Sequence, residues 1–228
     1  MIDMQEFERE GFAITPSLLS SDELATLIVL IEAHVSTEQK RGGVRDIMTR
    51  VPELRAVADA LALRNIVSQI LGSNAIVVRS TLFDKTDGAN WKVPWHQDVT
   101  IAVRNRIESE GFGPWSTKEG IVHVQPPTEV LQKMVTIRVH LDACPASNGA
   151  LRVMPGTHHL GRINQHDASE HVIEDDAISC EAAAGEALVM RPLLLHASSV
   201  ATRPSHRRVL HFDYAATALP NNLNFALA

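Results

Sequence analysis

Apolar residues change their spacing at Gly72. Before it, Leu24, Leu27, Ile28, Ile31 and Val35 recur at a helical period. Ser20 and Glu23 stand three apart at the head of that run, the spacing of a capping box, in which each residue's side chain satisfies the other's free backbone donor. A second helix is predicted from Pro52, whose fixed φ suits a first turn, to Gly72, a favoured C-cap. Leu54, Val57, Ala58 and Leu61 mark its buried face.

After Gly72 short β-rich runs alternate with turn signals: AIVVRSTLFD, VPWHQDVTIAV, MVTIRVHLD, GALRVMP, GEALVMRPLLLHASSV and RRVLHFDYA. In MVTIRVHLD, Val135, Ile137, Val139 and Leu141 alternate with Thr136, Arg138 and His140, so one face enters a core and the other is polar. That polar face meets water or lines a cavity. Many short strands with Gly and Pro turns point to a sandwich or barrel. Periodicity is lost between residues 103 and 130, a stretch with three glycines and three prolines, which reads as a lid or substrate loop. The expected organisation is one domain over 1–228: a helical flank at 1–72 and a β core at 73–216 carrying the lid at 103–130.

Length and composition fit this picture. The 228 residues are 45% hydrophobic and 21% charged, enough for a sizeable core without disulfides. The net charge of -6 argues against a nucleic-acid groove, which needs a basic surface. No apolar run approaches the roughly 20 residues of a membrane span. The acidic opening MIDMQEFEREGF lacks the basic start and apolar stretch of a signal peptide. Cys144 and Cys180 suggest neither a thiolate metal site nor a required disulfide. The expectation is a cytoplasmic protein with a small-molecule substrate, no nucleic acid or membrane, and no obligate protein partner.

The sharpest chemical feature is Trp95-His96-Gln97-Asp98. On a strand, residues two apart share a face. His96 and Asp98 then present an imidazole and a carboxylate together, two of the three ligands of a 2-His-1-carboxylate triad. His196 follows on a later strand, and Arg207 lies eleven residues beyond it. An arginine fork binds a carboxylate co-substrate bidentately and is always charged. On the last strand Arg207, Val209, His211 and Asp213 share one face and Arg208, Leu210 and Phe212 the other, so only one of the two arginines points at a metal cavity.

The run HQD, then NGALRVMPGTHHLGRI, then HASS and Arg207, resembles the phytanoyl-CoA dioxygenase family of iron(II)/2-oxoglutarate oxygenases. The resemblance runs from the N-terminal helices to the final strand. It implies a mainly β fold with N-terminal helices, a double-stranded β-helix or jelly roll of cupin type with the metal at its mouth. It implies Fe(II) held by His96, Asp98 and His196, with 2-oxoglutarate and O2 as co-substrates and ascorbate as an accessory reductant. Arg207 is then the anchor of the far carboxylate, assisted by Ser198. The family's PGSH turn is Pro155-Gly156-Thr157-His158 here, a conservative departure. Related halogenases put a small residue where this chain keeps Asp98, so hydroxylation is expected over halogenation.

Other positions are weaker. Thr136 is a further co-substrate candidate; Arg79, Trp91, His123 and Arg138 are substrate candidates. Trp95 points away from His96, toward core. His158, His159, His206 and His211 read as structural or exposed, and Lys85 as a solvated lysine. Two competing functions use the same residues: a zinc-dependent hydrolase or lyase on the His-Asp-His set, and a non-catalytic ligand-binding barrel.

Overall fold

The computed structural model describes residues 2–35 and 43–227. The chain begins with α1 (Met4–Glu10), β1 (Phe12–Thr15), α2 (Ser21–His34), β2 (Val44–Arg45), α3 (Ile47–Arg50), α4 (Leu54–Ala58) and α5 (Leu61–Leu71). The β portion follows: β3 (Ile76–Lys85), β4 (Val93–His96), β5 (Ile101–Val103), β6 (Trp115–Lys118), β7 (Ile121–Val124), α6 (Thr128–Gln132), β8 (Met134–His140), β9 (Leu151–Val153), β10 (Ile178–Cys180), β11 (Ala187–Met190), β12 (His196–Ser198) and β13 (Arg207–Ala215).

The capping box is formed. Ser20 Oγ accepts from Glu23 N at 3.3 Å, and the Glu23 carboxylate accepts from Ser20 N at 2.7 Å. Leu24, Leu27 and Ile31 of α2 are buried. The second helix departs from expectation: the chain breaks between α4 and α5. The Ala58 carbonyl, which a continuous helix would offer to the amide four residues on, instead accepts from Tyr214 Oη at 2.8 Å. Ala60 turns extended (φ -57, ψ 141). The break resets the helical phase. Leu61, expected on the buried face, is 75% exposed, while Leu63, Ile66 and Val67 face the core.

Among the described residues the strands form three antiparallel sheets, ordered β1-β11-β8-β13-β3-β2, β10-β9-β12-β4 and β5-β7-β6. The large sheet buries one face against the helices. Val135, Ile137 and Val139 of β8 and Leu210, Phe212 and Tyr214 of β13 pack there with Leu27, Ile31 and Leu63. Each such side chain contributes ~1.5–3 kcal/mol on burial. The alternation in β8 therefore holds, and Thr136, Arg138 and His140 are buried on the opposite face.

The stretch at 103–130 is more ordered than its sequence suggests. Trp115–Lys118 and Ile121–Val124 pair as a hairpin whose turn, Glu119-Gly120, has two positive φ angles (53 and 80). β7 also pairs with β5. The Arg45 guanidinium donates to Glu119 Oε1 at 2.7 Å and fastens the hairpin turn to the large sheet. Periodicity failed here because the two strands are four residues each, too short to establish an alternation.

Candidate metal centre

β4 and β12 pair antiparallel, with His96 and His196 directly across from each other. Cross-strand partners project to the same side, so the two rings meet with centroids 4.2 Å apart. Asp98, two residues past His96, is held by its N–H donating to Pro192 O at 2.9 Å. One ligand atom from each of His96, Asp98 and His196 lies within 4.8 Å of the others. His196 Nε2 stands 3.8 Å from Asp98 Oδ2.

The histidine tautomers follow from their neighbours. His96 Nδ1 contacts Pro94 O at 2.9 Å, and His196 Nδ1 contacts Leu194 O at 2.9 Å. A carbonyl only accepts, so each Nδ1 carries the proton and each Nε2 keeps its lone pair. A carbonyl that accepts from Nδ1–H in this way turns the lone pair of Nε2 toward a cation. Burial, and then His96, push His196 down to about 3, so it is neutral at pH 7. Burial opposes charge on Asp98, but His196 and the Arg79 guanidinium outweigh it and hold the carboxyl well below the usual range. Two neutral imidazoles and one carboxylate converging on one point fit a divalent metal with open positions.

The intervening residues face the other way, as the strand period requires. Gln97 Nε2 donates to Gly161 O (2.8 Å) and Leu193 O (2.6 Å), and its Oε1 accepts from Ile163 N (2.7 Å). Trp95 packs with Met154 and Leu195.

The three ligands open onto a cavity of about 200 Å³ between the large sheet, the small sheet and the β6–β7 hairpin. Arg207 and Ser198 line it. Arg207 is 4% exposed; Nη1 donates to the Gly149 carbonyl and lies 3.4 Å from Ser198 Oγ. Its Nε has no hydrogen-bond partner, and it makes no ion pair among the described residues. Burial lowers its pKa. Arg208 points the other way, bidentate to Asp142 (2.7 and 2.8 Å) and 2.6 Å from Glu32.

Arg79, Trp91, His123 and Arg138 also line the cavity. Thr136 does not. Its hydroxyl donates to Asp213 Oδ1 at 2.7 Å, behind the wall. Asp213 also pairs with Arg79 Nε at 2.5 Å and accepts from His211 Nε2 at 3.0 Å. Arg138 Nη1 donates to His211 Nδ1 at 2.9 Å, which fixes the His211 proton on Nε2. Thr136 therefore acts on the cavity only through the carboxylate that sets Arg79 and His211. Burial, and then Arg207, push Arg138 down to about 10. His123 is buried, its Nδ1 donating to Ile121 O at 2.9 Å.

Four residues stand differently from the sequence reading or outside it. His211 lines the cavity; the face it shares with Arg207 on β13 was the available signal. Lys85 is fully buried rather than solvated. Its ammonium donates to Ser198 Oγ and Ser199 O, both at 2.8 Å, and lies 5.5 Å over Trp91. Burial and Arg207 push it down to about 8. Asp46 and Lys118 line the cavity with no motif to announce them.

The profile of the phytanoyl-CoA dioxygenase family matches residues 7–209. The chain belongs to that family. Among curated relatives, L-proline trans-4-hydroxylase of Streptomyces griseoviridis is 28% identical, covering 91% of this chain and 83% of that protein. Ectoine dioxygenase of Streptomyces avermitilis is 24% identical over 68% of this chain. This chain spans about half the length of that relative, 50%. Among solved structures, EctD from S. alaskensis with 2-oxoglutarate and 5-hydroxyectoine superposes with a TM-score of 0.70 at 17% identity, over 94% of this chain and 76% of that one. The apo non-heme monooxygenase ThoJ gives 0.70 at 17%, over 92% and 76%. These likenesses establish the fold as that of the family's mainly β, jelly-roll oxygenases. No helix among the described residues is long and apolar enough to cross a membrane.

Proposed function

We propose that the protein is an iron(II)- and 2-oxoglutarate-dependent dioxygenase that hydroxylates a small molecule. One observation carries the reading: the His96–Asp98–His196 triad and a buried arginine that makes no ion pair among the described residues open onto the same cavity. His96 Nε2, His196 Nε2 and an Asp98 oxygen hold the metal. Arg207 and Ser198 receive the far carboxylate of 2-oxoglutarate, the guanidinium making no ion pair among the described residues. Iron(II) and 2-oxoglutarate, when bound, reduce dioxygen so that one oxygen atom enters a substrate C–H bond as hydroxyl and the other ends in succinate as CO2 leaves. The protein's share is to orient and enclose the reactants. Asp98 keeps the third protein ligand in place, which favours hydroxylation over halide transfer. Relatives named for ectoine and L-proline support a compact substrate. A zinc hydrolase has no use for Arg207 as placed.

The test is anaerobic addition of iron(II) and 2-oxoglutarate to the folded protein. A weak visible charge-transfer band is expected, and Asp98→Ala abolishes it or lowers turnover at least ~1000-fold, as loss of a metal ligand does. Iron-loaded, folded protein without that band overturns the proposal.

A further inference from the structure

Part of the charge on the cavity wall is balanced inside the protein. Arg79 is paired with Asp213 and Arg45 with Glu119, while Asp98 belongs to the metal centre. Four charged lining groups make no ion pair among the described residues: Asp46, Lys118, Arg138 and Arg207. Arg207 is taken by the co-substrate and Arg138 donates to His211, which leaves Asp46 and Lys118, of opposite sign.

The first is Asp46. It lines the cavity, and its Oδ1 is shut off from solvent with no hydrogen-bond partner among the described residues. A buried acceptor without a donor costs ~1–3 kcal/mol, more when charged. A ligand that brings an N–H or O–H removes that cost. The backbone fixes this residue as well: Asp46 is left-handed (φ 53, ψ 45), with its N–H on Ser80 O at 2.8 Å and its carbonyl accepting from Thr49 N at 3.1 Å. Aspartate is among the residues that enter this region most readily.

The second is Lys118, on β6. It lines the same cavity, is exposed to solvent, and makes no ion pair among the described residues. Partial desolvation of an ammonium that still reaches solvent, and then the cations Arg45 and Arg79, lower its pKa, so an anion beside it is favoured. The two groups flank one bridge: Arg45 precedes Asp46, Glu119 follows Lys118, and Arg45 Nη1 is 2.7 Å from Glu119 Oε1. No ion pair joins Asp46 to Lys118 directly.

We propose that Asp46 and Lys118 recognise a small zwitterionic substrate, Asp46 accepting from a basic N–H and Lys118 pairing with a carboxylate. This rests on the oxygenase reading and narrows its substrate class to amino or cyclic imino acids.

The experiment measures succinate release by the iron-loaded protein, above the level without added substrate, for three matched sets. These are amino and cyclic imino acids such as L-proline, carboxylates without nitrogen such as cyclopentanecarboxylate, and amines without a carboxylate such as pyrrolidine. Only the first set is expected to stimulate. Asp46→Asn and Lys118→Met should each raise KM for the stimulating compound at least ~10-fold, the scale of one lost charge-assisted hydrogen bond. KM does not depend on the fraction of active enzyme, so partial misfolding does not mimic the result. If turnover is lost, the substrate Kd is read instead from the change a bound substrate makes in the visible chelate band, with the same fold-change expected. Stimulation by compounds lacking either group overturns the proposal, as does stimulation by none while succinate still forms without substrate, or KM values that stay put. Absence of both succinate and the chelate band sinks the oxygenase reading instead.

Discussion

Arg207 and Arg208 are neighbours on β13, but the two faces of that strand are finished differently. Arg208 lies on the helix side and is saturated by Asp142 and Glu32. Arg207 lines the cavity with an unpartnered Nε and no ion pair among the described residues. The same contrast extends along the sheet. The helix-side face is apolar and complete in Leu210, Phe212 and Tyr214, whose one hydroxyl is spent on Ala58. The cavity face carries Arg138, His211 and Arg207, with donors left for something the protein does not contain. One face is built for stability and the other is held at some cost to stability, which is how a binding site on a rigid scaffold is recognised.

Substitutions can sharpen that contrast. On the helix side, Phe212→Ala should cost about 4 kcal/mol of unfolding free energy, read by denaturant titration, because a fully buried aromatic leaves a cavity. The arginine pair should split by assay. Arg207→Met should raise KM for 2-oxoglutarate about 100-fold, since a fork to a carboxylate is lost. The same change should leave Tm unchanged or higher without 2-oxoglutarate, because an uncompensated buried cation is removed. Arg208→Met should do the reverse, costing about 2 kcal/mol of stability with KM for 2-oxoglutarate unmoved. If Arg208→Met moved that KM and Arg207→Met did not, the two faces would be misassigned.

The smallest effect concerns pH. His140 is on the cavity side of β8, buried, with neither ring nitrogen bonded among the described residues. Burial, and then Arg138, push it from 6.5 to about 3. Below pH 6.5 the unfolded chain takes up a proton that the folded protein refuses. The stability this group contributes is therefore full above 6.5 and is lost as pH falls toward 3. The slope from this one group approaches about 1.4 kcal/mol per pH unit. His140→Leu should remove that increment from the pH dependence of denaturation measured between pH 7 and 5.

What the sequence disclosed follows from the range of its signals. The HxD spacing, the distal histidine and the arginine eleven residues on are local patterns, and strand geometry converts them into direction. The two faces of β8 and β13 were legible for the same reason. The break between α4 and α5 was not, because it depends on Tyr214, far along the chain, taking the Ala58 carbonyl. Lys85 was missed because only the distant Ser198 and Ser199 make its burial tolerable. Thr136 was misjudged because facing inward differs from reaching the cavity when Asp213 stands between.

The direct opposition of His96 and His196 across β4 and β12 has a further consequence. A cation gripped by both rings is a fastener across a short antiparallel seam with a register shift beside it. Metal loading and the opening of that seam are then one equilibrium viewed from two ends. Amide exchange along β4 should slow on addition of iron while β13, in the middle of the large sheet, stays as it was. Limited proteolysis near Val93 becomes a gauge of how much of the protein carries its metal.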